Sequence, residues 1–458
     1  MPLSLLSFVL RFTVFAGVFA VMVGCATYQS QPLTSTPTPA PLEHIQIPAS
    51  QVANPLLPPL AVDGRDGFTP EQIAILAVIS SPRLKALRDQ KGVAEAQVVQ
   101  AGLLPNPQLG YTMDRPYGTP GAVGAHTLGL SWEVTSLLAY RDRLAAGKST
   151  ARALDLSIAW QEWQAAEAAR LSAYRILSLE ERLPLVRETE AQLGDALALT
   201  REALKRGYRT TAELAATIEI WTSARDGRFA LEQELATERL SLNLALGQPP
   251  ETVVRLRAGA PFPEIPADAA AATRLLDGLE SRRLDLVALT LGYESAEATL
   301  RAAVKAQFPK VGLSFGRARD TSDVRTRSFG VTIDLPVFDR GQGQIALGKA
   351  TRQQLFDEYT ERVAEARSEV MQLLANLAVA REQLRALENE LPDFERLVSA
   401  LDQAMKTRNA DVQAWRDAHA SLLGRRLLRA KLNQDLLELG VALEIATGRP
   451  SLTRAATP

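Results

Sequence analysis

A single cysteine, Cys25, serves all 458 residues, so no disulfide can form within one copy. Histidine is nearly as scarce. His44, His126 and His419 fall in a linker, a loop and a helix, with no metal-ligand spacing to each other or to the cysteine. Charge of one sign is also missing: 51 Lys and Arg stand against 52 Asp and Glu, which leaves no field to gather nucleic acid or an acidic substrate. Aromatic residues make up only 6%, while Ala, Leu, Glu, Arg and Gln fill the long middle and end, a composition of long helices rather than of an α/β enzyme. Gly341-Gln342-Gly343 lacks the further glycines and the Lys-Ser/Thr of a phosphate cradle and reads as a turn. Acidic residues at heptad positions read as solvated or paired surface. No nucleophile stands beside a base, so neither catalysis, a metal nor a cofactor is expected.

Long apolar runs are confined to the start. Phe12 to Val23, led by Arg11, is too short and too early for a membrane span. It closes on Met22-Val23-Gly24-Cys25, which resembles the lipobox of bacterial lipoproteins, a small residue followed by the cysteine that is acylated. The resemblance implies a signal peptide over 1–24 and a covalent lipid, palmitate included, on Cys25. Several acyl chains anchor stably where one binds marginally. Residues 25–67 follow as a tether whose Thr34-Ser35-Thr36-Pro37-Thr38-Pro39-Ala40-Pro41 run cannot bury enough to fold alone.

The folded part opens at Thr69-Pro70, a helix start with Thr69 as N-cap. After Pro105-Asn106-Pro107 comes period-two alternation: Leu109, Tyr111 and Met113 against Gly110, Thr112 and Asp114. Past a Pro- and Gly-bearing loop, Leu128, Leu130, Trp132 and Val134 alternate with Thr127, Gly129, Ser131 and Glu133. The pattern returns at Pro309–Phe338, where Val311, Leu313 and Phe315, then Val331, Ile333 and Leu335, alternate with Gly, Ser, Thr and Asp around a polar Arg317–Arg327 loop. Such strands have one apolar face and one of small polar residues. The apolar face can pack on a soluble core or face lipid around a water-filled lumen.

Between and after the hairpins the chain is helical. Leu193, Leu197, Thr200 and Leu204 keep coiled-coil spacing, as do Leu373, Leu377, Ala380, Leu384, Leu387 and Leu391. Pro184 is expected to kink or break the first long helix. The two halves also match each other. Shifted by 202, Ala94-Glu95-Ala96 meets Ala296-Glu297-Ala298, and Pro107 and Gly110 meet Pro309 and Gly312. Shifted by 201, Gly129 meets Gly330, and Gly247 and Pro249 meet Gly448 and Pro450. The chain is thus a duplicated helix–β-hairpin–long helical hairpin unit, mainly α with a small β part. The repeats are read as 68–250 and 268–450, joined by a linker at 251–267 and followed by a tail at 451–458. Four strands with open edges are too few to close a barrel, so the chain is expected to oligomerise.

Ala101-Gly102-Leu103-Leu104-Pro105-Asn106-Pro107 and Leu335-Pro336-Val337-Phe338-Asp339-Arg340-Gly341, on top of the duplication, resemble the TolC-like outer-membrane efflux family, lipoprotein branch. The resemblance covers roughly 68–450. It implies a homotrimer with a 12-strand transmembrane β-barrel and a long periplasmic α-helical barrel, in the outer membrane of a Gram-negative bacterium. It further implies a passive exit duct working with a periplasmic adaptor and an inner-membrane transporter of the resistance-nodulation-division kind. Thr127, Ser131, Glu133, Ser314, Thr332 and Asp334 would then face the lumen. The turns after the long helices would form the gated tip and meet the adaptor: Gly207, Tyr208, Arg209 and Glu213 in the first repeat, Arg408, Asn409 and Asp411 in the second. Two rivals share parts of the pattern. A periplasmic adaptor lipoprotein would have one helical hairpin rather than a repeated layout, and a coiled-coil scaffold has no need of the strands.

Overall fold

The computed structural model describes residues 28–33, 42, 45–48, 54–57, 59–117, 121, 123–257, 274–407 and 411–449. The signal peptide, Cys25, most of the tether, residues 258–273 of the linker region, Arg408, Asn409 and the tail lie outside the described residues. The chain divides into two units, 1–40 and 41–458. Of the first, only residues 28–33 are described, and they are exposed and without helix or strand.

The elements of the second unit run in the order β1 (Gln46–Ile47), β2 (Val62–Asp63), α1 (Pro70–Ser80), α2 (Pro82–Ala101), β3 (Gln108–Asp114), β4 (Ala125–Glu133), α3 (Ser136–Lys205) and α4 (Thr211–Ala245). Then come α5 (Leu279–Arg282), α6 (Leu284–Lys305), β5 (Lys310–Arg319), β6 (Arg325–Asp334), α7 (Gln342–Lys406) and α8 (Val412–Thr447). Two helices, a hairpin, a long helix and a return helix thus occur twice. At 1.5 Å per residue α3 is about 105 Å long. None of the described helices is apolar and long enough to cross a membrane.

Thr69 starts α1 with a capping box: its hydroxyl accepts from the Gln72 amide at 3.3 Å, and Gln72 Oε1 accepts from the Thr69 amide at 3.1 Å. This helix is apolar all round, and Ile73, Ala74, Ile75, Leu76 and Ala77 are all buried. It packs on α3, whose Trp163, Ala166, Ala169, Ala173, Ile176, Leu179, Leu183 and Val186 form one stripe at spacings of three and four. Leu231, Leu235 and Leu242 of α4 complete that core. In the second repeat Val370, Leu374 and Leu377 of α7 meet Leu443 and Ala446 of α8, and Leu391 and Val398 meet Ala418 and Leu422 further along. The repeats are also packed on each other, α3 against α6 and α8.

Pro184 does not break α3. The helix runs through it, as α7 runs through Pro392. A proline removes one ladder hydrogen bond, but Leu183 and Val186, like Leu391, are buried in the seam, and their packing carries the helix across. The polar loop read at Arg317–Arg327 is also shorter than expected. Strand β5 reaches Arg319, β6 begins at Arg325, and only 320–324 turn. Asp320 Oδ1 accepts from the amides of Ser322 at 2.8 Å and Val324 at 2.9 Å, and Asp323 takes a left-handed φ of 67°. These side-chain bonds close a tight turn and free the arginines to extend the strands.

A buried charged cluster fastens the repeats. Arg170 on α3 is 1% exposed and holds Glu167 on its own helix at 2.6 Å and Glu444 on α8 at 2.7 Å. Desolvation pushes the Glu167 carboxyl up to about 7, Arg170 opposing it and Glu444 adding to it. Beside it Arg175 makes a two-pronged bond to Glu438 of α8, at 2.7 and 2.9 Å.

Gly247 ends the α4 segment at φ 64°, and a Cβ there would lie 2.6 Å from Pro82 Cδ and 3.1 Å from the Ser80 carbonyl. Gly247→Ala is therefore expected to cost about 1–3 kcal/mol from overpacking and the left-handed backbone. Gly227→Ala, where nothing lies within 4 Å inside α4, should instead be neutral or gain up to about 1 kcal/mol. Denaturant midpoints of the two variants check the contrast.

Candidate functional site: one sheet and two helical tips

The four long strands make one antiparallel sheet in the order β3-β4-β5-β6, and among the described residues nothing pairs with the outer edges of β3 and β6. The hairpins of the two repeats are joined by β4 and β5, with Leu130 opposite Phe315 and Ser131 opposite Ser314. In-register pairing puts opposed residues on the same face. One face carries Leu109, Tyr111, Met113, Leu128, Leu130, Trp132, Leu313, Phe315, Phe329, Val331 and Ile333. None of the described residues covers it: Leu109 is 71% exposed and Phe329 62%.

The other face carries every strand residue that the sequence assigned to a lumen. Ser131 and Ser314 stand side by side, Glu133 lies opposite Gly312 and Gly312 opposite Thr332. Thr127 is opposite Ala318, and Asp334 is opposite Lys310 at the helical end of the sheet. Glycines keep this face thin. A Cβ on Gly330 would meet the Ser314 hydroxyl at 2.6 Å, the hydroxyl that donates to the Gly330 carbonyl at 3.3 Å. Lys310 facing Asp334 was not singled out from sequence; its signal was a lysine in step with the glycine and serine positions of β5.

At the far end of the helices, α3 closes on Gly207 at φ 74°, with the Tyr208 amide donating to the Ala203 carbonyl at 2.9 Å. Tyr208 is 79% exposed. Glu213 is the hub of this turn. It accepts from the Thr210 amide at 2.7 Å and hydroxyl at 3.0 Å, and from Arg209 Nη1 at 2.6 Å. The Thr210 amide and then Arg209 lower its carboxyl to about 2, so Glu213 is ionised at any physiological pH. In the second tip, Asp411 caps α8 by accepting from the Gln413 amide at 3.0 Å.

The structure adds residues that the sequence did not mark. Arg416 of α8 is buried and donates to the Thr217 hydroxyl of α4, which in turn donates to the Glu213 carbonyl at 2.7 Å. This chain of bonds ties the second tip to the first. It borders a cleft of about 420 Å³ also lined by Arg209, Glu213, Met405 and Trp415. One turn on, Asp402 accepts from the Trp415 indole at 2.7 Å and lies 2.9 Å from His419 Nε2. Burial raises the Asp402 carboxyl, but the bonds from His419 and Trp415 outweigh this and leave its pKa lowered. The only sequence sign of Arg416 was an arginine one heptad before Leu423.

An open-edged sheet with one apolar and one small-polar face, carried on two long helical hairpins, is a fold that solved outer-membrane channels share. The sequence model of the outer membrane efflux protein family matches residues 275–449, within the second repeat. Solved structures extend the likeness to most of the chain. The CmeC outer membrane channel of Campylobacter jejuni superposes with a TM-score of 0.69 at 14% identity, over 84% of this chain and 86% of that one. The outer membrane protein VceC of Vibrio cholerae gives 0.67 at 17%, over 83% and 96%. CusC, known for the conformational changes of its transmembrane channel formation, gives 0.67 at 18%, over 93% and 100%. At such identities what is shared is the fold. No curated sequence matches the chain.

Proposed function

We propose that this chain is the outer-membrane exit duct of a tripartite efflux pump: three copies close a 12-strand barrel in the membrane and an α-helical tunnel below it. The observation that carries the reading is the sheet, apolar and exposed on one face, small and polar on the other, unpaired at both edges. An exposed apolar face of this extent needs lipid, and open edges need neighbours. Repeats 68–250 and 268–450 each supply one hairpin to the barrel and one helical pair to the tunnel. Cys25 carries the lipid anchor. The tips around Gly207–Glu213 and Arg408–Asp411 close the duct and meet a periplasmic adaptor, which links it to an inner-membrane transporter of the resistance-nodulation-division kind. The transporter, not the duct, selects the cargo, and no cofactor takes part.

The first measurement is the native mass of the detergent-extracted protein, followed by single-channel conductance in a planar bilayer. A trimeric mass with a small conductance that rises severalfold in Glu213→Gln supports the duct and places its gate at the first tip, because that substitution releases Arg209 and the Thr210 cap together. A trimer whose conductance is untouched by Glu213→Gln keeps the duct and moves the gate. A monomer that never inserts overturns the proposal in favour of an adaptor or scaffold.

A further inference from the structure

The apolar face of the sheet does not end in aliphatic residues. Following β5 away from the helices, Val311, Leu313 and Phe315 are succeeded on the same face by Arg317 and Arg319. On β6 the same face reads Arg325, Arg327, Phe329, Val331 and Ile333. The register sets Arg317 directly opposite Arg327 and Arg319 directly opposite Arg325. Like charges so placed repel, and three of the four arginines are exposed. Arg319 pairs with Asp323 at 2.6 Å; Arg317, Arg325 and Arg327 have no acidic partner among the described residues. The turn holds one more acid, Asp320, and its Oδ1 accepts from the Ser322 and Val324 amides. Residues 317–327 thus set four arginines against two aspartates, a net charge of +2. On β4, next to Arg319 and Arg317, stand His126 and Leu128. His126 is bonded to the Tyr111 hydroxyl at 2.8 Å, and a histidine has no negative charge to offer the arginines.

An arginine on a lipid-facing strand costs about 2–4 kcal/mol at mid-bilayer and about 0–1 kcal/mol at the interface. Four of them consecutive on one face therefore mark the level where hydrocarbon stops. From Phe329 through Val331 to Ile333 the exposed apolar positions of β6 span about 10 Å once the strand is tilted by roughly 40°, and Leu335 just past its end is exposed too. The arginines lie at the turn end of that band, opposite the helical body. They are the charged rim of its outward surface, not part of the polar face.

We infer that Arg317, Arg319, Arg325 and Arg327 form a docking belt for phosphate-bearing lipid headgroups in the leaflet distal to the helices. The inference rests on the barrel reading above, which puts this face in lipid. The guanidiniums of Arg317, Arg325 and Arg327 suit phosphate oxygens, which bind arginine in a two-pronged way. A bound phosphate also relieves the repulsion across the β5–β6 ladder, so the lipid stabilises the hairpin that holds it. In a ring of copies the belt recurs on every protomer and forms a collar of bound lipid.

The test uses the full-length protein in neutral phosphatidylcholine nanodiscs and in planar bilayers. The probe is lipid A with both phosphates or with them removed, and retained lipid is counted by native mass spectrometry. The expected result is retention of the phosphorylated lipid over the dephosphorylated one, weakened by roughly fivefold for each arginine removed in Arg317→Gln/Arg327→Gln and in Arg319→Gln/Arg325→Gln. Thr326→Ala/Ser328→Ala, on the opposite face, should change nothing, and inorganic phosphate should not compete. Retention that ignores the lipid phosphates or both arginine pairs, in samples that insert and conduct, overturns the belt and leaves the duct standing. Competition by inorganic phosphate at equal concentration overturns it too, because the site is then one for the free anion. A wild-type protein that never inserts overturns both.

Discussion

Arg170→Met is expected to lower the stability of the detergent-solubilised protein by about 3–5 kcal/mol, the cost of leaving buried carboxylates without their cation. The substitution keeps the side chain's length and apolar stem, so packing changes little. What is lost is the charge that Glu167 and Glu444 share from opposite repeats, at 2.6 and 2.7 Å. Guanidinium unfolding followed by the helical circular dichroism signal measures it. The triple change Glu167→Gln/Arg170→Met/Glu444→Gln separates charge from shape. It should recover most of the loss, since a buried ion cluster replaced as a whole by neutral groups is often no less stable. A single Arg170→Met within about 1 kcal/mol of wild type would show that the cluster adds little.

The second large effect is on pH. Glu167 has a folded-state pKa of about 7 against an ordinary 4.5, raised by burial. Between those values the folded chain holds a proton that the unfolded chain has released, so stability falls as pH rises from about 5 to about 7, by up to about 1.4 kcal/mol per pH unit and roughly 3 kcal/mol in all. Glu213 and Asp63, each lowered to about 2, work the other way. Their contribution is complete above pH 4.5 and is lost only in strong acid, so it is constant through the window. Glu167→Gln should flatten the profile and gain most at pH 8. A wild-type profile that rises from pH 5 to 8 would falsify this assignment of the proton.

The strands were legible because their alternation has a period no helix can imitate, and the duplication because glycine and proline recur at the same offsets. What the sequence concealed was long-range or set by packing. The Arg317–Arg327 stretch reads as a loop by its polarity, yet Asp320 turns the chain in five residues and the flanking arginines pair in register. Pro184 reads as a break until Leu183 and Val186 are seen in the seam. Arg170 and Glu444 are 274 residues apart, and only their placement within alanine and leucine stripes hints that they are buried. Thr127, Ser131, Glu133, Ser314, Thr332 and Asp334 share one face because the register aligns the alternation of one strand with that of the next. Gly207 and Glu213 lie in one turn, whereas the bond from Arg416 to Thr217 needs both hairpins in place.

The unpaired edges of the sheet are unlike strands, β3 and β6. Any ring of copies must therefore join the β6 of one to the β3 of the next, a head-to-tail joint repeated all the way round. A substitution that spoils either edge is not diluted by a normal copy made in the same cell, because each copy takes part in two joints. With equal amounts of both in a ring of three, about one ring in eight contains normal copies alone. For the proposed duct, an edge-breaking change such as a proline in β6 should accordingly behave as a dominant allele, suppressing export in the presence of an intact gene, while a change confined to the middle of β4 or β5 should be recessive.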